Sequence, residues 1–182
     1  MNQKISILGC GWLGLALAID LTNKGHEVYG STTSHSKLKR IEEKGIQPFL
    51  IDIGNPDVDM RDFLCSDVLI IAITSKSIAD IKNLIRKIEE SDIQKVLFIS
   101  STSVYPFTNG IVTEETDTSN TPLAQIEQLF ISNAAFQTTI LRFGGLFGYD
   151  REPGKFFKTN RPVENPDGYV NLIHRDDCIN II

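Results

Sequence analysis

The sequence predicts an α/β fold: a doubly wound parallel sheet with helices on both faces, in three αβα layers. Three observations lead there. Short apolar, β-rich runs alternate with helical segments along nearly the whole chain, the pattern a parallel sheet requires because each crossover needs room for a helix. One run, Asp67 to Ile73 (DVLIIAI), is continuously apolar, as a strand covered on both faces must be. The first run, Lys4 to Leu8 (KISIL), passes directly into a glycine-rich turn and then a helical pattern.

The elements follow in order. After Lys4 to Leu8, the segment Trp12 to Lys24 repeats Leu13, Leu17 and Leu21 every fourth residue and closes at Gly25, which reads as a helix with a glycine stop. Glu27 to Gly30 is a short strand. Ser36 to Lys44 is charged and helical, closed by Gly45, and Ile46 to Ile53 is a third strand. Asp67 to Ile73 is the fourth. Ile78 to Glu90 is an amphipathic helix with Ile81, Leu84, Ile85 and Ile88 on one side. Lys95 to Ser100 is the fifth strand, Pro122 to Ala135 a helix and Thr138 to Arg142 the sixth strand. Glycine, proline, asparagine and aspartate are dense from Gly144 to Gly168, which predicts loop. Tyr169 to Ile173 reads as a short strand and Asp176 to Ile182 as the start of a helix, whose unfinished end predicts a truncated chain.

Composition narrows the function. The 182 residues hold one substantial domain, and the hydrophobic and charged shares, 41% and 23%, are those of a globular protein. A net charge of -5 argues against a general nucleic-acid binder. Cys10, Cys65 and Cys178 form no CxxC pair, so neither a zinc site nor a disulfide framework is expected, and the reducing cytoplasm is the simplest compartment. The N-terminal apolar run is broken by Gly9 and Gly11, which predicts neither a signal peptide nor a membrane span. The partner expected is a small molecule rather than nucleic acid or a membrane. The oligomeric state is open, with a homodimer compatible.

Gly9-Cys10-Gly11-Trp12-Leu13-Gly14 matches GxGxxG. Alone the pattern is weak. Following a strand and opening a helix, it reads as the dinucleotide-binding loop of a Rossmann fold. Gly9 permits the tight turn, Gly11 lets the backbone approach a pyrophosphate, and Gly14 lets helix and strand pack closely. Backbone N–H groups around Trp12 and Leu13, at the helix N-terminus, then face the anion. The competing reading is a glycine turn without a ligand. Trp12 itself reads as loop packing, and Cys10 as a small space-filler rather than a reactive thiol. Residues 1–148 are thus expected to form the dinucleotide-binding domain; a family resemblance carried by segments along the chain implies that 149–182 are a partial substrate-side region.

A site for NAD places an acidic residue at the end of the second strand. Here that region reads Tyr29-Gly30-Ser31-Thr32-Thr33-Ser34-His35-Ser36-Lys37, without a carboxylate. Ser31, Thr32, Thr33 and Lys37 suit a 2′-phosphate, which favours NADP over NAD. Ser34 or Ser36 starting the next helix explains part of the cluster equally well.

Four segments, spread over nearly the whole chain, resemble the extended short-chain dehydrogenase/reductase family, the NAD(P)-dependent epimerase/dehydratase-like group. They are the glycine loop; Asp52-Ile53; Ile99-Ser100-Ser101-Thr102-Ser103-Val104-Tyr105, similar to SSxxVY; and Leu141-Arg142-Phe143-Gly144-Gly145-Leu146-Phe147-Gly148 with Asn171-Leu172-Ile173-His174-Arg175-Asp176-Asp177, similar to LRxxxxxG and xxIHxDD. The resemblance implies that Asp52 and Ile53 lie beside the adenine. It also implies that Ala72, Ile73 and Thr74 line the cofactor channel, with Gly145 near the cofactor. Ser101 is implied as the catalytic hydroxyl holding the reacting oxygen, with Ser103 the second candidate. A hydroxyl run at the carboxyl end of a central strand is well placed for this, although hydrogen bonding at a strand end explains Ser101 as well.

One departure matters. The family's catalytic tyrosine and lysine, four residues apart, are missing: there is no YxxxK, and no Tyr or Lys between Tyr105 and Tyr149. If Glu127 matches the family's glutamate after the lysine, Ser119 and Leu123 occupy the catalytic positions. Tyr105 belongs to the SSxxVY segment and is usually structural there. A free phenol near pKa 10 is a poor acid–base group at neutral pH without its cation. The expectation is therefore a cofactor-binding chain with NAD(P)-dependent oxidoreductase or epimerase ancestry, acting on a small hydroxyl or carbonyl compound such as a nucleotide sugar. The alternative is a catalytically silent redox-sensing or regulatory module. His174, Asp176 and Asp177 read as a helix-capping turn and not as a metal site, Glu114, Glu115 and Asp117 as a solvated loop, and Phe143, Phe147, Phe156 and Phe157 as packing.

Overall fold

The computed structural model describes residues 2–108, 110–156 and 168–182. The loop expected over 157–167 and the packing of Phe157 lie outside them, as does the side chain of Phe156. The elements run β1 (Lys4–Leu8), α1 (Gly14–Asn23), β2 (Glu27–Thr32), α2 (His35–Glu42), β3 (Gln47–Leu50), β4 (Val68–Ile71), α3 (Ile78–Glu89), β5 (Lys95–Ser101), α4 (Pro122–Ile131), β6 (Gln137–Phe143), β7 (Gly145–Phe147), β8 (Leu172–His174) and α5 (Arg175–Ile181). The main sheet has six strands in the order β3-β2-β1-β4-β5-β6, and every pairing in it is parallel. This is the expected doubly wound fold, with the order reversing between β1 and β4.

The strands alternate their side chains between two cores, as the period of two dictates. On one face Leu8, Leu69, Ile71, Val96 and Phe98 meet Ile81, Leu84, Ile85 and Ile88 of α3 and Ile126 and Phe130 of α4. Phe98 and Phe130 stack with centroids 5.1 Å apart, worth about 0.5–1.5 kcal/mol beyond the area they bury. On the other face Ile5, Ile7, Val28 and Ile70 meet Leu17 and Ala18 of α1 and Ile41 of α2. Ile179 and Ile182 also pack on this second core, which brings the C-terminal segment onto the sheet. No α-helix lies between β3 and β4; Met60, Phe63 and Leu64 in turns cover the sheet instead. The hydroxyl of Ser6, on the same face, donates to the Phe63 carbonyl at 2.5 Å.

Three differences from expectation have local causes. The helix expected to run to Ala135 stops at Ile131. Both the Ser132 N–H and its hydroxyl donate to the Gln128 carbonyl, and Asn133 accepts from the Ala135 N–H at 2.8 Å, so short polar side chains take over the backbone. Strand β7 falls in a glycine-rich stretch read as loop; it pairs in parallel with β8. The strand expected from Tyr169 begins at Leu172, and Tyr169 is 94% exposed. No helix among the described residues is long and apolar enough to cross a membrane.

Candidate functional site

The glycine loop lies at the carboxyl end of β1, where the strand order reverses, the place at which open α/β sheets leave a crevice. Gly9 has φ +101°, and a Cβ there would lie 2.8 Å from the Ala72 carbonyl oxygen, so only glycine fits the turn. A Cβ on Gly14 would lie 2.1 Å from the Gly9 carbonyl oxygen, which sets how closely α1 approaches β1. At Gly11 a Cβ would meet nothing within 4 Å. The loop therefore offers open space at the middle glycine and tight packing at the outer two. The Gly9 N–H donates to the Ser31 hydroxyl at 2.9 Å and the Cys10 N–H to the Ser31 carbonyl at 2.7 Å, so β2 holds the loop from below. Ser31 is 1% exposed: its side chain fixes the glycine turn and does not face the crevice. Burial pushes the Cys10 thiol up to about 12, which leaves it protonated and inert at neutral pH.

Helix termini separate into two groups. Ser77, Thr121 and His174 cap α3, α4 and α5 through side chains that accept N–H bonds. No side chain caps α1 or α2, and neither has an acidic residue in its first turn. Ser34 stands at the N-cap of α2, but its hydroxyl bonds to Ser36 instead. Uncapped N–H groups with the positive end of the helix dipole suit anions. Of the hydroxyls expected for a 2′-phosphate, Thr32 is buried and accepts from the Ser34 N–H at 3.2 Å. Thr33 and Lys37 are exposed at the mouth of α2.

The other residues expected beside a cofactor follow the strands in turn. Asp52 is exposed after β3 and accepts from the Gly54 N–H at 2.9 Å; Ile53 packs against the core. Ala72 and Ile73 are half-buried and Thr74 exposed, with the Ala72 N–H donating to the Leu8 carbonyl at 2.8 Å. Leu13 is buried beside Phe143 and Cys178. The Trp12 indole N–H donates to Asp150 at 2.7 Å and holds that carboxyl below the usual carboxylate range. Arg151 and Arg175 lie over the Trp12 ring at 4.6 and 4.9 Å. Trp12 thus ties the glycine loop to the segment around β8. Gly145 opens β7, its N–H donating to the Asn171 carbonyl at 2.8 Å.

A cleft of about 1160 Å³ opens beyond the carboxyl ends of β5 and β6; Ser101, Ser103, Tyr105, Arg142, Gly145 and Asn171 are among its walls. The Ser101 hydroxyl accepts from the Ser103 N–H at 3.1 Å, so its own proton stays available to a ligand. Ser103 is exposed. Ser119, expected at the tyrosine position if Glu127 matches the glutamate of the resembled family, donates its N–H to the Val104 carbonyl at 2.7 Å, and Leu123, expected on the same condition at the lysine position, packs against the core.

Behind the cleft lies a network that sequence reading missed. Glu127 on α4 is 2% exposed. It accepts from Arg142 Nε at 3.2 and 3.1 Å and from Nη2 at 2.7 Å, and from the Ser100 hydroxyl. Ser100 and Arg142 face each other in the β5–β6 register. Arg142 Nη1 donates to the Tyr105 hydroxyl at 2.5 Å, and the guanidinium also lies 4.9 Å from that ring's centroid. The carboxylate of Glu127 raises the Arg142 pKa further above its ordinary value. A glutamate in an apolar helix and an arginine in an apolar strand were the available signal. His174 Nδ1 accepts from the Asp176 N–H at 3.3 Å, the geometry of a cap. Among the described residues no cluster of three or more His, Cys, Asp or Glu could hold a metal ion.

Known proteins resemble this chain in sequence and in fold. The chain is 29% identical to Protein YeeZ of Escherichia coli K12 over 99% of its own length and 72% of that protein. It superposes on a conserved protein of unknown function from Silicibacter pomeroyi with TM-score 0.80 and 20% identity, over 99% of this chain and 66% of that one. A Methylobacillus flagellatus protein, provisionally named an NAD-dependent epimerase/dehydratase, matches at TM-score 0.70 and 26% identity, over 99% and 68%. The UDP-Glc/GlcNAc 4-epimerase of Campylobacter jejuni matches at TM-score 0.78 and 14% identity, over 99% and 73%. The chain thus spans about two thirds to three quarters of these relatives. Its fold is that of NAD(P)-binding oxidoreductases and epimerases, and residues 4–103, more than half of its length, match the sequence pattern of one family; the chain belongs to that family, described as NADP oxidoreductase, coenzyme F420-dependent.

Proposed function

We propose that the chain binds NADP, in preference to NAD, at the glycine loop. We further propose that it serves an oxidoreductase or epimerase reaction of the extended short-chain dehydrogenase/reductase type, on a small hydroxyl or carbonyl substrate seated in the cleft. The observation that carries this reading is a juxtaposition. The open middle glycine, the two uncapped helices and the hydroxyl-lined cleft all lie at the carboxyl edge of one parallel sheet. The N–H groups of α1 around Trp12 and Leu13 would hold the pyrophosphate. Thr33, Lys37 and the start of α2 would take the 2′-phosphate. Asp52, Ile53, Ala72, Ile73 and Thr74 would flank the adenine and the channel, and Ser101, assisted by Ser103, would hold the reacting oxygen. When bound, the nicotinamide would supply or take a hydride. Nucleotide sugars are candidate substrates because the Campylobacter neighbour is named for them. Coenzyme F420 belongs among the compounds tested because the family description names it. The three cysteines are free, and a cytoplasmic setting is part of the proposal, as is a small molecule, not nucleic acid or membrane, as partner.

A second reading, a catalytically silent sensor of the cofactor, is favoured by one observation: Ser119 and Leu123 stand where the family's tyrosine and lysine are expected if Glu127 matches the family's glutamate, and Leu123 packs against the core. Two measurements separate the readings. Titration with NADPH and NADH tests binding, with tighter NADPH binding expected. A hydride-transfer assay following NADPH absorbance over a panel of carbonyl compounds, with Ser101→Ala as control, tests chemistry. Turnover that Ser101→Ala abolishes supports the enzyme; saturable binding with no turnover supports the sensor.

A further inference from the structure

We propose that Tyr105 is a catalytic proton donor in the cleft, placed by Arg142 and Glu127, and that this trio substitutes for the tyrosine–lysine pair the chain lacks. The inference rests on the oxidoreductase reading above and assigns that site its missing acid. It starts from hydrogen-bond bookkeeping. Arg142 can only donate, so its 2.5 Å bond to Tyr105 occupies a lone pair of the phenolic oxygen and leaves the phenolic proton free. Among the described residues the Tyr105 hydroxyl has no acceptor for that proton. Tyr105 lines the cleft beside Ser101 and Ser103, so the cleft is where the proton can be given.

The placement is stiff. Arg142 is stacked over the Tyr105 ring and fixed by three contacts to Glu127. Glu127 in turn is held by the Ser100 hydroxyl and almost wholly excluded from water. Each member comes from a different element at one end of the sheet: Glu127 from α4, Arg142 from β6, and Tyr105 from the turn after β5. Arg142 is a positioning residue; the group that touches substrate is the Tyr105 hydroxyl.

Glu127 holds the Arg142 guanidinium, and Arg142 in turn orients the phenol through its hydrogen bond. An oriented phenol suits proton donation, and a carbonyl being reduced needs a donor. In that step a bound reduced nicotinamide would supply the hydride to the carbonyl carbon. The Tyr105 O–H bond breaks as a new O–H bond forms on the carbonyl oxygen, and the phenolate regains a proton from solvent. Ser101 donates a second hydrogen bond to the same oxygen.

The test compares wild type, Tyr105→Phe and Ser101→Ala in three readouts: NADPH affinity, kcat and KM over a carbonyl panel that includes 4-keto sugars and simple aldehydes, and the solvent deuterium isotope effect on kcat. Tyr105→Phe removes one oxygen and is expected to keep its unfolding temperature and its NADPH affinity while losing about 10²–10⁴-fold in kcat, together with the isotope effect seen in wild type. Equal turnover in Tyr105→Phe overturns the assignment. So does a wild type that binds NADPH but reduces nothing in the panel, a result that leaves the cofactor site standing. Absence of NADPH binding in wild type refutes the functional reading itself and is scored first. If Tyr105→Phe loses its fold, Arg142→Lys decides: it keeps the cation but not the fork that points the phenol, so a kcat as high as wild type overturns the assignment and a reduced kcat at unchanged KM supports it.

Discussion

Replacing Glu127 by glutamine tests what holds the back of the cleft. Glu127 accepts from Arg142 Nη2 at 2.7 Å and from Nε at 3.2 and 3.1 Å, with side-chain exposures of 2% for the glutamate and 18% for the arginine. The amide leaves the guanidinium charge uncompensated and turns one acceptor into a donor facing another donor. Removing one partner of a buried pair costs about 3–5 kcal/mol; because Arg142 retains some access to water, the lower end, about 3 kcal/mol, applies here. For a domain of this size each kcal/mol lowers the midpoint by about 2–4 °C, so thermal unfolding followed by circular dichroism should shift down by about 6–12 °C. The double variant Glu127→Leu with Arg142→Leu removes both charges and should recover most of that loss, because well-packed apolar replacements of buried pairs are often neutral or better. A Glu127→Gln midpoint within about 2 °C of wild type, less than 1 kcal/mol, would refute the view that this pair organises β5, β6 and α4. A double variant no better than the single one would show that the charge imbalance is not the cause.

Three further outcomes follow. Thr33, and not the buried Thr32, is the exposed residue at the entrance of α2; Thr33→Asp should weaken NADPH relative to NADH by about tenfold, equivalent to about 1.4 kcal/mol, and an unchanged ratio by competitive titration would remove the 2′-phosphate assignment. Of the three cysteines only Cys65 is exposed, and burial pushes Cys10 up to about 12 and Cys178 up to about 11 from an ordinary 9.0, so at pH 8 a thiol reagent should label one site in the folded chain and all three in denaturant. The same shifts set a sign. The folded chain keeps these protons when the unfolded chain has lost them, so their stabilisation is complete below pH 9 and is lost as pH rises through about 11 to 12, measurable as a falling urea midpoint.

The sheet was legible because its signals are local. Lys4–Leu8 is apolar and bounded by glycine, and its strand limits match the expectation. The stripe Ile81, Leu84, Ile85 and Ile88 is buried as its spacing predicts. The GxGxxG loop was legible for the same reason: its three glycines fall within six residues, Gly9 and Gly14 answering close approaches by Ala72 and by the loop itself, and Gly11 leaving open space. What escaped depends on distance in the chain. Ser31 looked like a ligand for phosphate, but its hydroxyl is taken by Gly9, 22 residues away. Glu127, Arg142 and Tyr105 are separated by up to 37 positions, and no periodicity links them; only the folded sheet brings α4 over the β5–β6 edge. Strand β7 was missed because Gly145 within it and Gly144 and Gly148 at its flanks lower its apparent strand preference, while its pairing with β8 supplies the order that propensity does not.

The central claim is that a dinucleotide lies across the glycine loop, and Gly11→Val addresses it most directly. The space at Gly11 is open, with nothing within 4 Å of a Cβ, so the side chain should leave the fold intact and occupy the place of the pyrophosphate. Trp12, the single tryptophan, sits in the same loop, and its fluorescence reports NADPH binding in both proteins. Saturable quenching in wild type, no saturable quenching in Gly11→Val, and unfolding midpoints within about 2 °C of each other, as expected for a change in an open site, are the predicted results. A Gly11→Val protein that binds NADPH as tightly as wild type would contradict the account.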